Sequence, residues 1–296
     1  MSIQPGIHEI SNECLRVQAS EKGAELWSIR GADGAEYLWQ GDPCFWEDRS
    51  PTIFPYVARL TEGMYTYGGH KYSMPIHGLA PYATFEAEAV DGACMRFILN
   101  SDAATLAAYP FPFRFTVEYR LSGPSLTIAY IVENRGEGPM HFGAGVHPGI
   151  NVPLEPSVPF ESYALRFDED SLPQRVNFTP DCFVAEGTTP YPLQASRALP
   201  LRHDLFDEDA IILKDVPRRL VLSSPLGTRS VTFAFDDYPI FGLWHWPRRE
   251  APYVCLEAWT SLPSRKGVIE DLAAQPDLVR LEAGGTWRAS VTLTMK

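Results

Sequence analysis

Apolar and polar residues alternate along most of this chain with a period of two, the pattern of half-buried β-strands. Leu15, Val17 and Ala19 alternate with polar neighbours. Phe113, Phe115, Val117, Tyr119 and Leu121 do so strictly, as do Leu126, Ile128, Tyr130 and Val132 after the turn Ser122-Gly123-Pro124. These last two runs predict adjacent antiparallel strands that share one buried face. Tyr65 and Tyr67 lead into Gly68-Gly69 and Tyr72, which predicts a hairpin over 64–74. Phe85, Ala87 and Ala89 lead into Asp91-Gly92 with MRFIL beyond, which predicts another.

The second half continues in the same way. The runs 210–213, 219–223, 230–235, 240–246, 253–258 and 287–294 all read as strands. The stretch 186–209 is irregular, carries Pro190, Pro192 and Pro200, and reads as a long excursion over the surface. Only 268–275 and 101–108 suggest short helical turns. No linker, low-complexity tract or short repeat divides the chain. The pattern predicts an all-β protein, a large antiparallel two-sheet β-sandwich formed as one domain over residues 1–296.

Composition changes this picture little but narrows the function. Hydrophobic content is 45% of 296 residues, enough for a large core. The formal net charge of −12 argues against nucleic acid or an anionic membrane as partner, since phosphate backbones call for basic footprints. No apolar run approaches the ~20 residues that span a bilayer. The start, MSIQPGIHEISNE, has no basic-then-apolar leader pattern. Cys14, Cys44, Cys94, Cys182 and Cys255 are scattered, odd in number and free of zinc spacing. They read as reduced thiols of a cytoplasmic protein. The sequence sets no oligomeric state.

Chemistry centres on HFGAGVHPGINVP, residues 141–153. His147 stands among Gly143, Ala144, Gly145 and Gly149, with Pro148 fixing the chain direction after it. A histidine on a floor of small residues has room for a substrate above it; the plainer reading is a core histidine on a tight turn. Glu257 sits in PYVCLEAWT, between Leu256 and Ala258. A carboxylate in such a strand is costly unless paired or functional, and its pKa tends to rise, as in catalytic sites. Arg59 after SPTIFPYVA reads first as a surface charge and second as a buried donor. His77 in MPIHGLA reads equally as a turn residue or a functional one. Asp209, in LFDEDAIIL, competes with Asp207 and Glu208 and alone reads as a solvated carboxylate. Phe54 and Tyr56 near Arg59, and Trp244, Trp246 and Trp259 near Glu257, offer faces on which sugars stack, core packing being the alternative.

The runs GAELWSIR, EYLWQGDPCFW, SPTIFPYVARL, MPIHGLA, GVHPGINVP, FGLWHWP and PYVCLEAWTSLP occur in the order seen in bacterial aldose 1-epimerase family proteins, the mutarotase-like group, which the chain resembles from about residue 23 to its end. The resemblance implies a β-supersandwich with a sugar cleft. It implies His147 as catalytic acid, Glu257 as catalytic base, and Arg59, His77 and Asp209 as substrate-binding residues. It implies no metal and no organic cofactor, and an aldose as the small-molecule partner. One departure stands out: after Pro148 come Gly149 and Ile150, where the family motif carries an aromatic, so the pocket floor is expected to be widened or reshaped.

Inverting an anomeric centre needs a base on the anomeric hydroxyl and an acid on the ring oxygen, general catalysis worth about two to four powers of ten. The expectation is a bell-shaped pH profile, its limbs set by ionisation of the carboxyl and deprotonation of the imidazolium. The acidic chain favours a neutral sugar over a phosphorylated one, with Arg248 and Arg249 as the phosphate alternative if they face the cleft. Other readings remain: a non-catalytic carbohydrate-binding or regulatory protein; a glycosidase using Glu257 with Asp209; and a metal site of His77, His147 and Glu257, which lacks close ligand spacing.

Overall fold

The computed structural model describes residues 6–296. Two sheets dominate, one of nine strands and one of seven, with a three-stranded sheet and two strand pairs beside them. All strand pairs among the described residues are antiparallel. The alternating runs form Phe113–Ser122 and Ser125–Asn134, paired along their whole length in the middle of the nine-stranded sheet. Both expected hairpins form, Met64–Tyr67 with His70–Ser73 and Glu86–Asp91 with Cys94–Asn100.

The two large sheets meet through side chains at every second position. Phe241 of the seven-stranded sheet stacks on Phe235, at the end of a strand of the other sheet, with ring centroids 5.5 Å apart. On the neighbouring strand Tyr253–Trp259, Val254, Leu256 and Ala258 join the same core. Alternation then sends Tyr253, Cys255, Glu257 and Trp259 to the opposite face of the sheet. That face is also covered, so every residue of the strand is buried. Glu257 therefore lies outside the inter-sheet core, in a second layer roofed by loops.

Three readings of the sequence need correction. Residues 186–209 contribute two edge strands, Val184–Pro190 and Ala198–Pro200, and bury Leu199, Leu201 and Phe206. Prolines are tolerated there because an edge strand has donors to spare. Residues 268–275 form no helix. Thr66 donates to the Glu270 carbonyl and accepts from Leu272, which draws the chain out alongside the first hairpin. Only one turn follows, closed on the Asp271 carbonyl. Strands Ile7–Ser11 and Leu26–Gly31 flank Leu15–Ser20 without any clear alternation to announce them. The other expected helix does form, over Ala103–Ala108. Asp102 accepts from the Thr105 N–H at 2.8 Å while the Thr105 hydroxyl accepts from the Asp102 N–H at 2.7 Å, a reciprocal cap.

Candidate active site

A cleft of about 810 Å3 opens on the outer face of the seven-stranded sheet, and Arg59, His77, His147, Asp209 and Glu257 all line it. Strand register explains the central pair. Gly145–Val146 and Gly149–Asn151 are two short strands that both pair with Tyr253–Trp259. The register is the same on either side of the break, Val146 opposite Ala258 and Gly149 opposite Cys255. His147 therefore falls opposite Glu257. Pro148 has no N–H to give the ladder, but its carbonyl still accepts from Leu256 at 3.1 Å. On the other side, Gly242 lies opposite Glu257 and Ile212 opposite Gly242. A Cβ at Gly242 would sit 3.0 Å from the Cβ of Glu257, so glycine makes room for the carboxylate.

His147 Nε2 lies 3.3 Å from Glu257 Oε2. The indole Nε1–H of Trp259 donates to the same oxygen at 3.0 Å. Glu257 Oε1 is thereby left for a ligand. Burial pushes the Glu257 carboxyl well above its usual range, with the charge of Asp209 adding to the rise and the Trp259 hydrogen bond opposing it. Burial also holds the His147 imidazole well below its usual value, and His77 adds to that. Both shifts favour the neutral forms of the two groups.

His147 Nδ1 is buried without a hydrogen-bond partner among the described residues. Ring packing orients the imidazole instead. Trp46 lies against it with centroids 5.2 Å apart, and His77 and Trp244 meet it edge-on at 5.4 and 5.8 Å. Trp46 also resolves the missing aromatic. Its Cζ3 would stand 3.1 Å from a Cβ at Gly149, so the ring occupies the space over that glycine. Ile150 points into the inter-sheet core. The small residues around His147 thus admit tryptophans rather than open room: a Cβ at Gly145 would come within 2.7 Å of Trp259 Cδ1.

His77 accepts at Nδ1 from the Ala58 N–H, 3.3 Å away. Burial, with the charge of Arg59 added, lowers its pKa to about 4. It is therefore neutral near pH 7, and its proton is on Nε2. Arg59 donates to the Asp181 carbonyl at 3.2 Å and forms no ion pair among the described residues. Asp209 accepts from the Cys182 thiol at 2.8 Å, and burial followed by that bond pushes the thiol up to about 12. Ala58, His77, Cys182 and Asp209 all adopt left-handed backbone at this cleft. Such conformations cost of order 1–3 kcal/mol each and gather at functional sites.

Sequence reasoning assigned no site role to Trp46, which only ends the run EYLWQGDPCFW, or to Cys182, one scattered thiol among five. Of the aromatic residues offered by the sequence, the cleft does not use two. Phe54 and Tyr56 are fully buried; Phe54 stacks on Phe115 at 4.4 Å and the Tyr56 hydroxyl donates to Gln275. Trp244, Trp246 and Trp259 do line the cleft, as does Glu208, whereas Asp207, Arg248 and Arg249 do not. Among the described residues no group of three His, Cys, Asp or Glu side chains is placed to hold a metal ion.

The sequence profile of the family described as aldose 1-epimerase matches residues 7–294. The chain belongs to that family. It is 30% identical to the plasmid-encoded protein LacX of Lactococcus lactis subsp. lactis over 97% of this chain and 98% of that one. Among solved structures, a galactose mutarotase related enzyme from Lactobacillus acidophilus superposes with a TM-score of 0.93 at 29% identity, covering 98% of this chain and 97% of the other. A galactose mutarotase-like protein from Lactobacillus casei ATCC 334 gives the same TM-score of 0.93 and 29% identity, with 98% and 100% covered.

Proposed function

We propose that this member of the family is an aldose 1-epimerase, interconverting the α and β anomers of a neutral aldose by acid–base ring opening and reclosure. The observation that carries the reading is the His147–Glu257 contact of 3.3 Å at the floor of the sugar-sized cleft. In the ionised arrangement of the pair, which the burial of both groups opposes, Glu257 as carboxylate removes the proton from the C1 hydroxyl. The C1–O5 bond breaks as the C1–O1 double bond forms, and the His147 imidazolium gives its proton to O5. Rotation about C1–C2 presents the other face of the aldehyde. Reclosure reverses both transfers, Glu257 returning its proton and His147 recovering one. The pair holds one proton at the start and one at the end, which fits a buried site that resists any change of charge.

His77 donates through Nε2 to a sugar oxygen, Arg59 steadies negative charge developing on oxygen, and Asp209 accepts from a hydroxyl. The chemistry needs no cofactor beyond these groups. A neutral sugar suits the lining, where Glu25, Asp48, Glu208 and Asp209 outnumber Lys22 and Arg59. All five cysteines are free, which fits a reducing, cytoplasmic setting. No helix among the described residues is long and apolar enough to cross a membrane. The test is polarimetry or proton NMR on freshly dissolved α-glucose and α-galactose, with and without protein. Acceleration above the spontaneous rate is expected. Binding of a sugar without acceleration of any would replace this reading by a carbohydrate-binding one.

A further inference from the structure

The cleft continues well beyond the polar residues of its floor. Glu257 is 1% exposed and His147 7%, whereas Trp246 is 42% and Tyr82 57% exposed, and all four line it. Six large apolar side chains stand exposed among the described residues, and three of them, Ile76, Tyr82 and Trp246, belong to this one cleft. Apolar surface gathered at the mouth of a pocket marks a place that a ligand covers.

The aromatic rings lead outward in steps. Trp244 meets His147 edge-on at 5.8 Å, and Trp246 meets Trp244 at 6.1 Å. Each step is comparable with the repeat between linked pyranose rings. A further piece of the rim is fixed next to His77, where the Tyr82 hydroxyl donates to the Ile76 carbonyl at 3.3 Å. The volume of about 810 Å3 is near the top of the range, roughly 300–1,000 Å3, of pockets that enclose drug-sized ligands. A single pyranose leaves much of it empty.

Chemistry decides which way an extension must run. Ring opening requires a free C1 hydroxyl, so no substituent is carried at C1. With C1 and O5 at the Glu257–His147 pair, the opposite side of the ring, which bears O4, is turned to the mouth. A second sugar linked there arrives beside Trp246 and Tyr82. Their faces suit its C–H surface, and the carboxylates of Glu47, Asp48 and Glu208 in the same lining accept hydroxyls.

We infer that the outer part of the cleft is a second sugar subsite, with Trp246 as its platform, and that the protein prefers a reducing disaccharide linked through O4 to the corresponding monosaccharide. This rests on the anomerisation reading for where C1 lies. The test compares catalysed mutarotation of cellobiose, maltose and lactose with that of glucose, in the unaltered protein and in Trp246→Ala and Tyr82→Ala. A higher kcat/KM for at least one disaccharide is expected, and Trp246→Ala should lower it about tenfold, the scale of a lost aromatic platform, while the glucose rate stays within about twofold. Disaccharides no better than glucose, or equal losses on both, overturn the subsite. Should the protein accelerate no sugar, the anomerisation reading fails by itself. Calorimetry with the same sugars then decides the subsite: tighter binding of a disaccharide than of glucose upholds it, and equal or absent binding overturns it.

Discussion

His147 faces Glu257 across one unbroken antiparallel register, with Nε2 3.3 Å from Oε2, although the two residues are 110 positions apart in the chain. Because both side chains come from neighbouring strands, sheet geometry rather than loop geometry sets their separation. Two strands, a glycine at 242 and an indole from Trp259 hold the carboxylate; ring packing holds the imidazole. The arrangement places an acid and a base side by side on a rigid floor.

If the pair works as one unit, removing either member removes most of the catalysis. Glu257→Gln keeps the shape but cannot accept the C1 proton, and His147→Asn cannot deliver one to O5. Each should lower kcat by about two to four powers of ten and leave sugar binding within a few-fold. The double variant should be no worse than the poorer single one, since the two act together. Polarimetry for rate and calorimetry for binding read these quantities separately. Near-normal turnover by Glu257→Gln would remove the assignment.

The pH profile should depart from that of an ordinary carboxyl and imidazole. Unperturbed, the carboxyl ionises near 4.5 and the imidazolium near 6.5, giving a narrow bell between them. Here burial raises Glu257 and lowers His147. The limb set by His147 should therefore lie below 6.5. The limb set by Glu257 should lie above 4.5. Both limbs of kcat/KM are thus displaced, in opposite directions, from where the free groups would put them. Limbs found at 4.5 and 6.5 themselves would show that the cleft does not desolvate the pair.

The sequence made the strands legible wherever one face is buried and the other is not. Phe113 to Val132 alternate because the nine-stranded sheet has a core side and a polar side. Ile7–Ser11 buries only Ile10 fully and gives no such signal. All five candidate residues line the cleft; Arg59, His77, His147 and Glu257 are polar groups in an apolar, glycine- or proline-broken setting, whereas Asp209 reads alone as a solvated carboxylate and is marked only by the family resemblance. Trp46 and Cys182 escaped because their role depends on what lies opposite them. Trp46 matters through the absent side chain of Gly149, about a hundred residues away, and Cys182 through Asp209. Contacts between distant segments leave no periodic trace in either one.

The Cys182 thiol should behave as a structural donor rather than a reactive group. With its pKa pushed up to about 12, almost no thiolate forms near pH 8. Iodoacetamide should therefore label the exposed Cys44 ahead of Cys182, as read by peptide mass spectrometry. Cys182→Ser keeps a donor for Asp209 and should hold KM near normal, while Cys182→Ala should raise it a few-fold. Rapid labelling of Cys182 would show that its bond to Asp209 does not persist in solution.

Trp46 offers the sharpest test of how His147 is held. The imidazole has no partner at Nδ1 among the described residues, so its orientation and dryness depend on the rings around it. Trp46 is the one that lies over its face and fills the space above Gly149. Trp46→Leu keeps apolar bulk, but it loses the broad face and admits water to the ring. Relief of desolvation raises an imidazole pKa, so the limb of kcat/KM set by His147 should move up toward 6.5, the ordinary value. Turnover should fall about tenfold as the ring gains freedom, a loss of near 1.4 kcal/mol in transition-state stabilisation. Stability should drop by about 1–3 kcal/mol from imperfect repacking, measured by denaturant unfolding at a pH where both proteins are folded. The limb shift separates the two effects, because a merely loosened fold lowers the rate at every pH without moving the limb. A His147 limb that stays in place while stability falls would assign the dryness of His147 to His77 and Trp244 instead.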